Sequence, residues 1–155
     1  MSDQNTKLLL LRYLFVSALL GPRGTSRELL RRCLLRKYQP LMGTTLFLEY
    51  ESLLARDELF ETCQLDREER EALLNAFLSV CTWQTVYYIW RPNLPDEADN
   101  HLVELAVAGR AEAIVTWNTQ DFQRAELRFL GLRIVRPNDF LEEDGEDDNP
   151  DNSLA

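Results

Sequence analysis

Three carboxylates occupy positions where a bare charge is costly unless it is employed: Glu49, Asp99 and Asp121. Glu49 lies beside Leu53 at the edge of an apolar helical stripe. Asp99 opens the segment DNHLVELAVAG, and Asp121 follows the apolar run in IVTWNTQDF. Gathered at one end of a sheet, such groups repel by roughly 4 kcal/mol per pair at about 4 Å and an effective dielectric of about 20. A hard cation such as Mg²⁺ removes that repulsion. Taken singly, each acid has a plainer reading, with Asp99 and Asp121 as capping residues and Glu49 as a rim charge on its helix.

Other reactive side chains are few. Cys33, Cys63 and Cys81 are odd in number, far apart and set in helix-like apolar patterns, which reads as reduced, part-buried thiols rather than a disulfide or zinc site. His101 is the only histidine, so zinc sites built on paired imidazoles are excluded. Any histidine base must be that residue.

The elements that would position the acids follow from periodicity. Leu8 to Leu11 resemble a fully buried strand, although so short an apolar run can equally begin a helix. Residues 14–20 are continuously apolar, and Gly21, Pro22 and Gly24 break the chain before a helix opening at Thr25 or Ser26. Leu29, Leu30, Cys33, Leu34 and Tyr38 then recur at helical spacing. Pro40 to Gly43 reads as a short strand, and Thr44 or Thr45 caps a helix carrying Leu46, Phe47, Tyr50, Leu53 and Leu54. Asp66 caps another, with Leu73, Leu74, Phe77 and Leu78 as its stripe. Thr82 to Trp90 is rich in β-branched and aromatic residues and is expected to be the third strand.

Beyond Pro92 and Pro95, Asp96 or Asp99 opens a helix through Val107. Ala113 to Thr116 and Leu132 to Val135 read as strands, and Pro137 as the start of a last short helical turn. Strands alternating with helices imply an α/β fold with a mostly parallel sheet covered on both faces, whose ligands gather beyond the carboxyl ends of the strands. The 155 residues suit one domain over 1–141, followed by a tail over 142–155 that is expected to be disordered.

Charge is distributed unevenly. The tail holds seven acids and no base, and removing those charges from the net −9 leaves −2 for the body. Residues 23–37 carry six bases against Glu28 alone, either a phosphate-facing surface or a solvated helix face. No apolar run approaches the roughly 20 residues of a membrane span. The region before Lys7 is polar rather than basic and no cleavage pattern follows, so a secretory signal is not expected and a cytoplasmic location is.

The segments FVSALLGPRGTSRELLRRCL, LEYESLLARDELF, PDEADNHLVELAVAGRAEAIVTWNTQDF and GLRIVRPNDFL resemble PIN-domain proteins that serve as toxin components of toxin–antitoxin systems. The likeness spans residues 7–142, and the order and spacing of its motifs are more specific than any one of them. It implies a three-layer α/β/α fold around a parallel sheet of four or five strands. It also implies an acidic pocket binding Mg²⁺ or Mn²⁺, and hydrolysis of single-stranded RNA by a metal-held water. By position it makes Glu49, Asp99 and Asp121 the catalytic metal ligands, Thr116 and Asn118 supporting hydrogen-bonding residues, and Asp96 a flanking acid. A cognate antitoxin and a homodimer are the protein partners it implies, with the aromatics Trp83, Tyr87, Tyr88 and Trp90 available for either contact or for the core.

The sequence departs from that pattern at one place. The resembled proteins end their first strand with Asp-Thr-Asn, the Asp being the central metal ligand, where this chain has Leu11, Arg12 and Tyr13. No carboxylate lies between Asp3 and Glu28, and Asp3 is separated from Leu11 by roughly 26 Å of extended chain. Alternation along a strand would aim Leu11 and Tyr13 at the site and Arg12 away from it. Leucine has no donor atom, and a phenol with a pKa near 10 binds magnesium poorly. Two expectations therefore stand: a metal-dependent ribonuclease working feebly, or a catalytically inactive protein of the same fold that binds RNA or an antitoxin. A phosphate-binding loop and a phosphoacceptor domain both fail on the same segment, the first for want of a Gly-rich turn directly after the strand and the second for want of acids there.

Overall fold

The computed structural model describes residues 6–21, 24–86, 100–122 and 131–148. Its centre is β1 (Thr6–Leu10), flanked by β2 (Tyr38–Met42) and β4 (Ala113–Val115), with β3 (Thr82–Trp83) and β5 (Arg133–Val135) outermost. All four pairings are parallel, giving the order β3-β2-β1-β4-β5. Successive side chains on a strand face opposite ways, yet Leu8, Leu9 and Leu10 are all at most 2% exposed, so both faces of β1 are covered. That double burial is why the run of leucines carries no alternating pattern.

Six α-helices among the described residues cover the sheet: α1 (Arg12–Leu20), α2 (Thr25–Leu34), α3 (Thr44–Leu54), α4 (Arg67–Val80), α5 (Asn100–Ala108) and α6 (Pro137–Asp148). The first four pack on one another, and α5 lies on β1 and β2. None of the helices is long and apolar enough to cross a membrane. Gly109, at the end of α5, has a steric duty. A Cβ there would come within 2.6 Å of a Leu41 methyl, so any larger residue would force that buried side chain to shift.

Several boundaries differ from the periodicity. The strand expected from Pro40 begins two residues earlier, at Tyr38, with Leu8 opposite Pro40. β3 joins β2 only from Leu41, so up to Pro40 β2 has a neighbour on one side alone and the missing proline N–H costs little. The third strand is two residues rather than nine within the described part, since residues 84–86 are not strand and 87–99 lie outside it. The turn expected at Pro137 is a twelve-residue helix that runs to Asp148 and so enters the expected tail. Proline suits the first position of that helix, Phe140 buries against Tyr38, and the glutamates beyond are good helix formers.

Asp66 does cap α4, in a reciprocal box: its carboxylate accepts from Glu69 N at 2.8 Å, and the Glu69 carboxylate accepts from Asp66 N at 2.9 Å. The three cysteines are unbridged as expected, and burial pushes the Cys33 thiol up to about 12 and the Cys81 thiol further in the same direction. Both are protonated, inert thiols at neutral pH. The basic stretch is partly neutralised from within. Glu28 receives both Arg31 and Arg32 at 2.8 Å, which lowers its carboxyl to about 2.

A buried arginine ties α4 to the chain before it. Arg70, 3% exposed, donates to the carbonyls of Leu54 and Leu65, pairs with Asp57 at 2.6 Å and lies over the Phe60 ring. Arg70→Met should destabilise the chain by about 2–3 kcal/mol, because two carbonyls lose their donors while most of the volume is retained. Urea unfolding with an unchanged slope would register that loss, and a change under about 0.5 kcal/mol would contradict the role assigned to Arg70.

Candidate functional site

In a parallel sheet every strand ends on the same edge. Here the chain moves outward from β1 to β2 and β3, then returns to the opposite side of β1 with β4 and β5. The reversal between β1 and β4 is a topological switch point, where the connections leave in opposite directions and a crevice opens. Leu11 and Arg12 follow directly on β1, and the loop from Thr116 follows on β4.

The placement of α3 over this edge is fixed by Tyr50. Its ring sits among Phe15 and Phe77, with centroids 5.5 and 5.9 Å away, and its hydroxyl donates to the carbonyl of Leu10 at 2.9 Å. Burial drives the phenol's pKa well up, so it remains a neutral donor. With Tyr50 anchored to the last residue of β1, its neighbour Glu49 is brought to the first residues after that strand.

Glu49 does not meet other carboxylates there. Its Oε1 accepts from Arg12 Nη1 at 3.0 Å, and its Oε2 lies 2.9 Å from His101 Nε2, near the start of α5. The ionised carboxylate can only accept, so the imidazole donates from Nε2. Arg12 and Glu49 side chains are each 26% exposed and His101 is 15% exposed, so the cluster is half-buried with one side open to solvent.

The direction of Arg12 reverses the expectation from strand alternation. β1 stops at Leu10, and Arg12 is already the first residue of α1, so the rule of opposite faces ends before reaching it. Leu11 is packed against the hydrophobic core. Tyr13 is 59% exposed, with the Arg12 guanidinium 4.7 Å from its ring centroid. A cation in a first helical turn opposes the helix dipole, by about 0.3–1 kcal/mol, and α1 has no acid in that turn and no side-chain cap. Glu49 supplies the compensating charge.

The remaining expected residues are placed less completely. Thr116 is buried and its Oγ1 accepts from Asn118 N at 3.0 Å, a turn that shapes the loop after β4, while Asn118 itself is exposed. Asp121 belongs to a 3₁₀ turn, Thr119–Phe122, on that loop, and its side chain lies outside the described part. Asp96 and Asp99 lie outside the described residues, Asp99 immediately before α5. Of the expected ligand set the structure therefore brings Glu49 to the edge, together with two residues absent from that set. Arg12 was discounted on direction, and His101 was noted only as the lone imidazole. The contacts spanning 37 and 52 residues leave no local trace in the sequence.

A model of the PIN domain matches residues 13–120, more than half of the chain. The chain belongs to the PIN-domain family. No curated protein matches it. The match begins at Tyr13, so Leu11 and Arg12 lie outside it. Membership points to a nuclease-type function with RNA as the class of partner, and PIN domains generally use divalent metal ions. Of the three expected ligands, Glu49 is the one whose side chain is described, and it is already engaged. Both oxygens of Glu49 are taken by cationic or N–H donors, and no three His, Cys, Asp or Glu side chains cluster among the described residues.

The strength of the Arg12–Glu49 pair is measurable. A double-mutant cycle with Arg12→Met and Glu49→Gln should give a coupling of about 0.5–1 kcal/mol in unfolding free energy, as both groups retain partial solvent. Additivity within about 0.2 kcal/mol would mean that the pair does not form in solution.

Proposed function

We propose that this chain is the toxin-type component of a toxin–antitoxin pair, acting on single-stranded RNA at the carboxyl edge of its sheet, with metal-dependent hydrolysis held to a low rate. The observation that carries this reading is the Arg12–Glu49–His101 cluster at the switch point of a PIN fold. It occupies the place where ligands bind in such sheets, and it carries a cation where the expected chemistry calls for another carboxylate. In this reading Glu49, Asp99 and Asp121 are the acids available to Mg²⁺ or Mn²⁺, with Asp96, Thr116 and Asn118 in support. An ion held there would need these acids as its ligands and would have to displace Arg12 from Glu49, which would keep hydrolysis slow.

RNA as substrate is supported by the adjoining surface. A cleft of about 220 Å³ is lined by Thr44, Thr45, Trp83, Gln84 and His101, and so shares His101 with the cluster. Trp83 is 50% exposed at its rim, and an exposed indole offers any base a stacking face worth about 1–3 kcal/mol. A cytoplasmic location, a cognate antitoxin and a homodimer belong to the same reading. The second reading, a catalytically inactive RNA- or antitoxin-binding module, is favoured by the engagement of both Glu49 oxygens.

Cleavage of a labelled single-stranded RNA in Mg²⁺ or Mn²⁺ separates these readings. The natural chain should cleave slowly, and Leu11→Asp with Arg12→Thr should raise the rate by about tenfold or more, a barrier change of about 1.4 kcal/mol. Asp99→Asn should abolish both activities. Binding without cleavage by either protein would establish the second reading. Equal rates for the natural and repaired proteins would contradict the inhibitory role given to Arg12.

A further inference from the structure

Among the described residues, the Arg12 side chain uses one of its N–H donors. A guanidinium carries five N–H donors in a planar fork, and the contact made within the described residues is the single one from Nη1 to Glu49. One face of the group lies 4.7 Å from the Tyr13 ring centroid, one edge meets Glu49, and the side chain keeps 26% of its surface in solvent. An arginine held by stacking and by an ion pair has already lost much of its rotamer freedom, so a further ligand binds at reduced entropic cost. Its position at the start of α1, without an acid in that helix turn, adds the positive end of the helix to the guanidinium, against the single negative charge of Glu49.

The geometry points to a metal-independent phosphodiester site on Arg12, in which the outward N–H donors of the guanidinium hold a backbone phosphate of single-stranded RNA while Glu49 steadies it from the other side. This deepens the reading above and rests on it for the identity of the strand. Glu49 is then a positioning residue that also restrains the cation. Removing its charge should strengthen the phosphate contact rather than weaken it, which is the opposite of what loss of a metal ligand would do.

Fluorescence anisotropy with a labelled oligouridylate tests this in two buffers, one containing EDTA and one containing Mg²⁺. The natural chain should bind equally in both. In EDTA, Arg12→Ala should weaken binding by about tenfold, Arg12→Lys should retain part of the affinity, and Glu49→Gln should bind more tightly than the natural chain. Arg12→Ala should also reduce the salt slope by about 0.7, the value for one phosphate of a single strand. Melting curves identify any variant that fails to fold, and in that event the Arg12→Lys and Glu49→Gln results decide. Binding that requires Mg²⁺, or that is unchanged by Arg12→Ala in EDTA, overturns the inference and leaves RNA as the ligand. Absence of binding in both buffers overturns the inference and the RNA reading together.

Discussion

A guanidinium at the first position of a helix sits at the positive end of the helix dipole, where the helix itself gives it nothing. In this chain that unfavourable placement is offset from 37 residues away by Glu49, at 3.0 Å. The ion pair governs what the carboxyl edge of the sheet can do. It uses one oxygen of the carboxylate, His101 uses the other, and the charge that would attract a divalent ion is already met by a covalently attached cation. An internal cation differs from a metal in one chemical respect: it can neutralise and orient an anion, but it cannot lower the pKa of a water to generate a nucleophile as a bound metal does. An edge held this way orients an anion readily and activates a water poorly.

The pair depends in turn on packing that has no charge at all. The Phe15, Tyr50 and Phe77 rings form one buried cluster between α1, α3 and α4, and the Tyr50 hydroxyl fastens that cluster to the last carbonyl of β1. Glu49 has no freedom to leave the edge while Tyr50 is anchored. The order β3-β2-β1-β4-β5 adds the second constraint, because it sets the residues after β1 and those after β4 beside the same crevice. Arg12 and Glu49 thus meet at the edge where the connections after β1 and β4 diverge.

Much of this architecture is readable in the residues. The leucines before Arg12 make a central strand because both faces are buried, and Asp66 announces the start of α4. The site was less readable. Strand alternation gave the wrong direction for Arg12 because the chain turns helical immediately after Leu11, where each residue rotates by about 100° rather than 180°. His101 gave no signal beyond its solitude, since its partner is distant in sequence. The buried acid Glu104 on α5 was hidden by its apolar neighbours, which drew it into the general pattern of the helix. The helix through Asp148 escaped because its acidic end carries no apolar stripe and includes the weak helix formers Asp144, Gly145, Asp147 and Asp148.

The central claim is that Arg12, and not a divalent ion, satisfies Glu49. Crystals of the natural protein soaked in Mn²⁺, with diffraction data collected at the manganese absorption edge, test it directly. The account predicts an intact Arg12–Glu49 contact with at most a weak, partly occupied anomalous peak beside the Glu49 carboxylate. A manganese ion bound to Glu49, with the Arg12 side chain displaced, would contradict it.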